Sequence, residues 1–195
     1  FFGYNCQRHA HSYYPNYLWS NLKRVPLNNN PPVPGHASLP RDADPADPRS
    51  YDIFKGQDYA PDRINEQALA FLRKNHDKPF FLYLAYNAVR APAQAPKEDI
   101  ARYQEKFPGL SNKRGVLMAM LHHLDLGVGA VVKKLKDEGL WENTLLFFLT
   151  DNGGAKAMNA NNGILRGFKG SLYEGGIRTP WVVSWPAKFA GGRTI

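Results

Sequence analysis

The sequence predicts an α/β fold, a mainly parallel sheet flanked by helices, and three observations carry that expectation. Two short runs, PFFLYLAY at 79–86 and TLLFFLT at 144–150, are apolar on both faces and too short for free helices, the pattern of strands covered on both sides. Two helical stretches, 61–75 and 112–138, each carry a single apolar stripe and alternate with those strands, as in sheets joined by crossover helices. Composition agrees: 43% hydrophobic and 22% charged residues over 195 positions, with 17 Gly and 15 Pro, place the chain among globular proteins and exclude collagen-like and disordered classes.

Each element follows from local chemistry. Residues 1–60 hold Tyr13, Tyr14, Pro15, Tyr17 and Trp19, then Pro31, Pro32, Pro34 and the Asp44-Pro45 and Asp47-Pro48 pairs, with no sustained period. They predict a loop-rich aromatic and proline segment of the same domain, with one or two short strands around 18–25. Asp58 to Pro61 resembles a helix entry, and Ile64, Ala68, Phe71 and Leu72 then share one face, giving a helix over 61–75. The strand 79–86 follows, then a loop broken by Pro92 and Pro96, a short helix over 97–106, and the long helix 112–138. Val116, Met120, Leu124, Val128, Val131 and Leu135 form the stripe of that helix, and Gly139 ends it as a left-handed cap. Strands at 144–150 and 182–185 complete an α/β core spanning 61–195, with 79–86 and 144–150 expected as interior neighbours.

Uninterrupted apolar runs fall short of the roughly 18 residues of a membrane span, and no charged start with an apolar stretch marks a signal peptide, so no membrane partner is expected. A lone cysteine, Cys6, cannot close an internal disulfide. Net charge is +8, and the excess is C-terminal. From Ala155 onward Lys156, Arg166, Lys169, Arg178, Lys188 and Arg193 face the single acid Glu174 in a stretch with seven glycines. Charge alone reads as a solvated basic surface, and nucleic-acid binding has nothing else to support it. A glycine-rich basic loop does suit a smaller anion, because backbone N–H groups can approach it closely.

In an α/β sheet, ligands bind beyond the carboxyl ends of strands, so the segment after TLLFFLT is the first place to search. It reads Asp151-Asn152-Gly153-Gly154. A carboxylate beside an amide carbonyl offers two hard oxygens to Ca²⁺ or Mg²⁺, and glycines permit the turn that aims them. Taken alone, these residues fit an ordinary turn as well.

The flanking text adds a resemblance. ENTLLFFLTDNGG followed by LRGFKGSLYEGGIRTP, with Gly167, Lys169, Glu174, Gly175, Gly176, Arg178 and Pro180 in register, resembles the sulfatase family of the alkaline-phosphatase-like superfamily. PFFLYLAYNA with QAPKE resembles the family's segment between helix and metal strand, and the opening FFGYNCQRHAHSYYPNYLW is similar to bacterial arylsulfatases or N-acetylgalactosamine-6-sulfatase-like proteins. The resemblance implies a partial alkaline-phosphatase-like domain and a sulfuric ester hydrolase that cleaves sulfated carbohydrates or aryl sulfates with a formylglycine nucleophile and a divalent cation, usually Ca²⁺. It makes Asp151 and Asn152 metal ligands and Lys169 a catalytic contact to sulfate, and it implies a periplasmic or secreted enzyme. Glu174 and Arg178 read instead as an ion pair or caps bracing the turn.

Two departures stand out. The family's Cys/Ser-x-Pro-x-Arg motif is absent, since Cys6 is followed by Gln7-Arg8-His9-Ala10, and so are the paired aspartates of the other half of the metal site. The chain therefore reads as an internal fragment holding half of the cation ligands and inactive alone. At 87–96, Val89-Arg90 stands where the family has Pro-His, so Arg90 becomes a catalytic candidate that can donate to sulfate but cannot act as a general acid, or else a surface residue at a degenerate site. Two alternatives stay open: a non-catalytic sulfated-glycan-binding module, or a phosphate-ester or phosphonate hydrolase of the same superfamily. His9 and His11, two apart, could face one way on a strand as a metal pair or a carbohydrate contact, and without a third ligand they read as a packed or solvent-facing pair. His122 and His123, adjacent on the long helix, read as structural, and the aromatic cluster as core.

Overall fold

The computed structural model describes residues 1–29, 40–44, 48–54 and 56–194, so the prolines at 31–34 and the pairs completed by residues 45 and 47 lie outside the described residues. Two compact units divide the chain, one formed by Phe1–Ala68 with Leu82–Val128 and the other by Leu69–Phe81 with Gly129–Ile195.

The first unit opens with a small antiparallel sheet of β1 (Phe2–Gly3), β2 (Tyr17–Ser20) and β3 (Lys23–Pro26) in the order β1-β2-β3. Asn21, at φ +52°, turns the β2–β3 hairpin in the left-handed region that asparagine tolerates. Leu18 packs beneath it on Ala60 and Ile64 of α1 (Ala60–Lys74). The aromatic cluster is largely core, as the sequence suggests. Tyr13 and Tyr14 are buried and their rings lie against Tyr59, while half-buried Tyr17 and Trp19 lie under the Arg24 guanidinium.

α1 enters through a polar knot. Asn28 N–H donates to the Asp58 carboxylate (2.6 Å), and Asn29 exchanges bonds with both backbone groups of Asp58 (2.9 and 3.0 Å). The Asn28 N–H and then Arg63 hold the Asp58 carboxyl below its ordinary range. α2 (Lys97–Lys106) and α3 (Asn112–Asp137) fall where the periodicity puts them. Val116, Met120, Val131 and Leu135 of the expected stripe are buried, with Leu124 and Val128 half-buried. Gly139, at φ +70°, ends α3 with Leu140 N–H on Leu135 O and Gly139 N–H on Lys136 O, the paired bonds of a glycine C-cap. By length and composition α3 is also long and apolar enough to cross a membrane. His122, His123 and Asp125 interrupt the apolar run, yet the Leu, Val and Met residues around them keep the mean hydropathy of the helix high.

Side chains from three helices meet at His123, all of them within the first unit. Its Nδ1 lies 2.7 Å from buried Asp99 of α2, its Nε2 lies 2.5 Å from Asp62 of α1, and Tyr59 meets the ring edge-on. His122, one residue away, faces Arg102 (3.0 Å) instead. Both histidines thus engage side chains of neighbouring helices.

The sheet departs from expectation. β4 (Leu146–Leu149) pairs with β5 (Trp181–Ser184) in antiparallel register, Phe147 opposite Val183 and Leu149 opposite Trp181, and every strand pair among the described residues is antiparallel. The mainly parallel sheet is therefore not found here. Apolarity on both faces reports that a strand is built to be covered but carries no information on direction. Nor is 79–86 a paired strand. It runs extended with Phe80, Leu82, Leu84 and Tyr86 half-buried and Phe81 and Tyr83 87% and 78% exposed. That is the two-residue alternation of a strand, with no ladder partner among the described residues. Phe147, Leu149 and Trp181 are exposed as well.

Candidate functional site

The second unit carries Asp151, Asn152 and Lys169, and glycine sets how they are held. β4 runs out at Thr150 into the turn 151–153. Asp151 is exposed, and half-buried Asn152 donates its Nδ2 to Gly153 O (3.0 Å), so its amide oxygen stays usable as an acceptor. Gly153 N–H donates to Gly176 O and Lys169 N–H donates to Gly154 O, both at 3.0 Å. These bonds stitch the Asp-Asn-Gly-Gly turn to the lysine-bearing loop. Close approach requires the glycines: a Cβ on Gly153 would sit 1.9 Å from Gly175 O, and one on Gly175 would sit 2.3 Å from Gly167 O. Gly167 and Gly170, at φ +88° and +91°, curve the loop around exposed Lys169.

Sequence reading passed over Asn162. Its Oδ1 accepts from Gly154 N–H (3.0 Å), and its Nδ2 donates to Gly167 O and Gly175 O, each at 2.9 Å. An asparagine among Asn159, Asn161 and Gly163 reads as turn chemistry, and no spacing rule separates this one from its neighbours. Glu174 and Arg178 behave as expected, forming an exposed ion pair (3.5 Å) across the four-residue helix α4 (Glu174–Ile177), with Arg178 N–H on Glu174 O.

As cation ligands, the Asp151 carboxylate and the Asn152 amide oxygen are the hard oxygens that Ca²⁺ takes, and two fall short of the roughly six to eight it prefers. Among the described residues no group of three or more His, Cys, Asp or Glu is placed to hold a metal. The donor set fits part of a shell.

Arg90 belongs to the first unit and the other three candidates to the second. Its loop is pinned to the N-terminal segment: Tyr13 OH donates to Asn87 O (2.7 Å), Arg90 N–H donates to Tyr13 OH (3.1 Å), and Tyr13 N–H donates to the Gln94 amide oxygen (2.9 Å). Burial pushes the Tyr13 phenol well up, so it stays a neutral donor. The half-buried Arg90 guanidinium lies 2.6 Å from His11 Nε2. A guanidinium can only donate, so Nε2 accepts, the ring proton resides on Nδ1, and His11 is neutral in this contact. The expectation of His9 and His11 side by side on a strand is corrected. The segment His9–His11 is a short 3₁₀ turn, which sends His9 between Tyr4 and Tyr17 and His11 to Arg90. Burial, and then the charge of Arg24, lowers the His9 pKa. Seventy-nine residues separate His11 from Arg90, and nothing in local spacing joins them.

Residues 5–194 match the family model described as Sulfatase. The chain belongs to the sulfatase family. It is 32% identical to an uncharacterized sulfatase, YdeN, of Escherichia coli over 72% of this chain and 26% of that protein. It is 36% identical to arylsulfatase J of Mus musculus, over 70% of this chain and 24% of that one. With N-acetylgalactosamine-6-sulfatase of Rattus norvegicus the identity is 36%, over 66% and 24%. The chain thus spans about a quarter of the length of these sulfatases. Among solved structures it resembles Ps i-CgsB in complex with k-i-k-neocarrahexaose, with a TM-score of 0.62 and 40% identity over 68% of this chain and 29% of that one. A Bacteroides thetaiotaomicron sulfatase associated with metabolism of multiple glycosaminoglycans follows, at 0.55 and 31% over 66% and 28%. These likenesses agree with an α/β class.

Proposed function

We propose that the whole protein containing this chain is a sulfuric ester hydrolase acting on sulfated carbohydrates or aryl sulfates. Asp151 and Asn152 would supply part of a Ca²⁺ shell, and Lys169 would meet the sulfate. The observation that carries this reading is the backbone stitching of the Asp151-Asn152 turn to the Lys169 loop, in a chain matching the sulfatase family over nearly its full length. A bound divalent cation supplies positive charge to a sulfate oxygen. Lys169, on a loop curved by two glycines, contributes a flexible point charge where negative charge develops on the transferred group. The likeness to an oligosaccharide complex supports a carbohydrate ester over a small aryl one. The formylglycine nucleophile and the remaining cation ligands would lie elsewhere in the whole protein, so this chain alone is expected to show no turnover. A periplasmic or secreted location goes with this reading.

Arg90 is engaged at both its backbone and its guanidinium by partners from the N-terminal segment, which favours a defined role over a degenerate surface residue. Hydrolysis of para-nitrophenyl sulfate and of para-nitrophenyl phosphate by the whole protein, with and without chelator, tests the assignment. Asp151→Ala should abolish cation binding and turnover together. Lys169→Ala should leave the cation bound and lower kcat by at least about a hundredfold, the scale of removing one transition-state charge contact. Wild-type activity in both variants overturns the proposal, and preference for the phosphate ester selects the phosphohydrolase alternative.

A further inference from the structure

Three backbone segments converge behind the candidate cation turn, and one side chain outside the candidate set bonds to all three. Asn162 accepts from Gly154 N–H and donates to Gly167 O and Gly175 O, using both amide protons and one of its two acceptor positions. Gly154 is bound on its other side as well, since its carbonyl accepts from Lys169 N–H. Gly154 is therefore held at both of its backbone groups, its N–H by the Asn162 amide and its C=O by the Lys169 backbone. The packing leaves little slack: a Cβ on Gly154 would lie 2.5 Å from Ala160 Cβ and 2.7 Å from Asn162 Oδ1, and one on Gly176 would lie 2.2 Å from Ser171 O. Backbone this close has lost the water that would otherwise satisfy its polar groups, so a half-buried partner offering an acceptor and two donors at once is required. Asparagine meets that need, whereas aspartate offers no donor and alanine offers nothing.

We propose that Asn162 is a positioning residue of the sulfatase site: it fixes the separation between the Asp151-Asn152 oxygens and Lys169 without touching cation or sulfate. This rests on the roles proposed above for those three residues. Cation selection and sulfate contact both depend on that separation, because a shift of about 1 Å in a positioned group costs on the order of a hundredfold in rate. Asn162 thus couples two functions that Asp151 and Lys169 carry one each.

The test uses the whole protein with CaCl₂ as the titrant and para-nitrophenyl sulfate as the substrate, and Asp151→Ala as the control. Asn162→Ala should weaken Ca²⁺ binding by at least tenfold and lower kcat by at least tenfold in folded protein. Asn162→Asp, which keeps the acceptor but turns a carboxylate toward two carbonyl oxygens, should be no better. A lower Tm with Ca²⁺ affinity and kcat within threefold of wild type would mark Asn162 as merely structural and overturn the proposal, as would full activity of Asn162→Asp. If Asp151→Ala itself leaves Ca²⁺ affinity and turnover intact, the site assignment has failed instead. Amide hydrogen exchange of the wild-type protein covers the case of variants that do not fold. The N–H groups of Gly153, Gly154, Lys169 and Gly175 should be protected as one unit by at least a hundredfold, and Gly154 exchange within tenfold of the unstructured rate would overturn the inference.

Discussion

At the scale of single residues, the candidate site divides into groups that offer chemistry and groups that hold them. Asp151, Asn152 and Lys169 stand out in the sequence through the motif they share with the sulfatase family, an oxygen pair and a cation among glycines that taken alone would also fit an ordinary turn. Arg90 is legible only as a departure, and its meaning comes from contact with His11. Replacing Arg90 by His in the whole protein should lower kcat/KM by about tenfold, on the order of 1.4 kcal/mol, because a shorter ring cannot reproduce a guanidinium held against His11. A rise in kcat/KM would show instead that the position has lost a proton donor which the substitution restores. Gly153 is the strictest of the holding residues. With Gly175 O only 1.9 Å from where its Cβ would stand, Gly153→Ala must push two backbones apart. It should destabilise the second unit by more than about 2 kcal/mol, read by chemical denaturation, and release Ca²⁺ in proportion.

At the scale of elements, periodicity served helices better than strands. α2 begins and ends where the sequence places it, and α1 and α3 deviate by a single residue at one or both ends. A helix closes its own hydrogen bonds, so its pattern is local, whereas a strand borrows partners that its pattern cannot name. What joins the helices was not legible, since Asp62, Asp99 and His123 meet only after three helices pack. The two carboxylates hold the His123 pKa up, from 6.5 to about 9, with the bond to Asp62 contributing most. Because the folded pKa lies above the unfolded one, the stabilisation is complete below about pH 6.5 and fades as pH rises through 9. The shift corresponds to roughly 3 kcal/mol as an upper figure, reduced by solvent at half-exposed Asp62. Thermal unfolding of the protein between about pH 6 and pH 10 should show a Tm loss centred at alkaline pH that His123→Gln removes. An equal alkaline loss in that variant would assign the effect to other groups. Asp58 works in the opposite sense: its lowered pKa gives stability present above its ordinary 3.8 and lost as pH falls.

At the scale of the whole molecule, exposed apolar surface is the dominant feature. Phe81, Tyr83, Phe147, Leu149 and Trp181 present large side chains to solvent, and the β4–β5 ribbon is apolar on both faces. Such surface, together with the extended segment 79–86 that has no ladder partner among the described residues, promotes association. The 195-residue chain produced alone should sediment as oligomers or aggregate and bind a hydrophobic dye. A monomer that melts cooperatively would show that these faces tolerate water.

By itself, the sequence determined the helices and their stripes, the glycine cap of α3, short strands around 18–25 and the two loops of the candidate site, because each is written in residues close together along the chain. Tertiary structure alone decided that β4 and β5 run antiparallel, that 79–86 finds no strand partner among the described residues, that His9 and His11 part company, and that Asn162 binds three backbone segments. Those outcomes depend on groups tens of residues apart meeting in space. Hydrophobic periodicity records which face a residue turns inward but not what it will meet there.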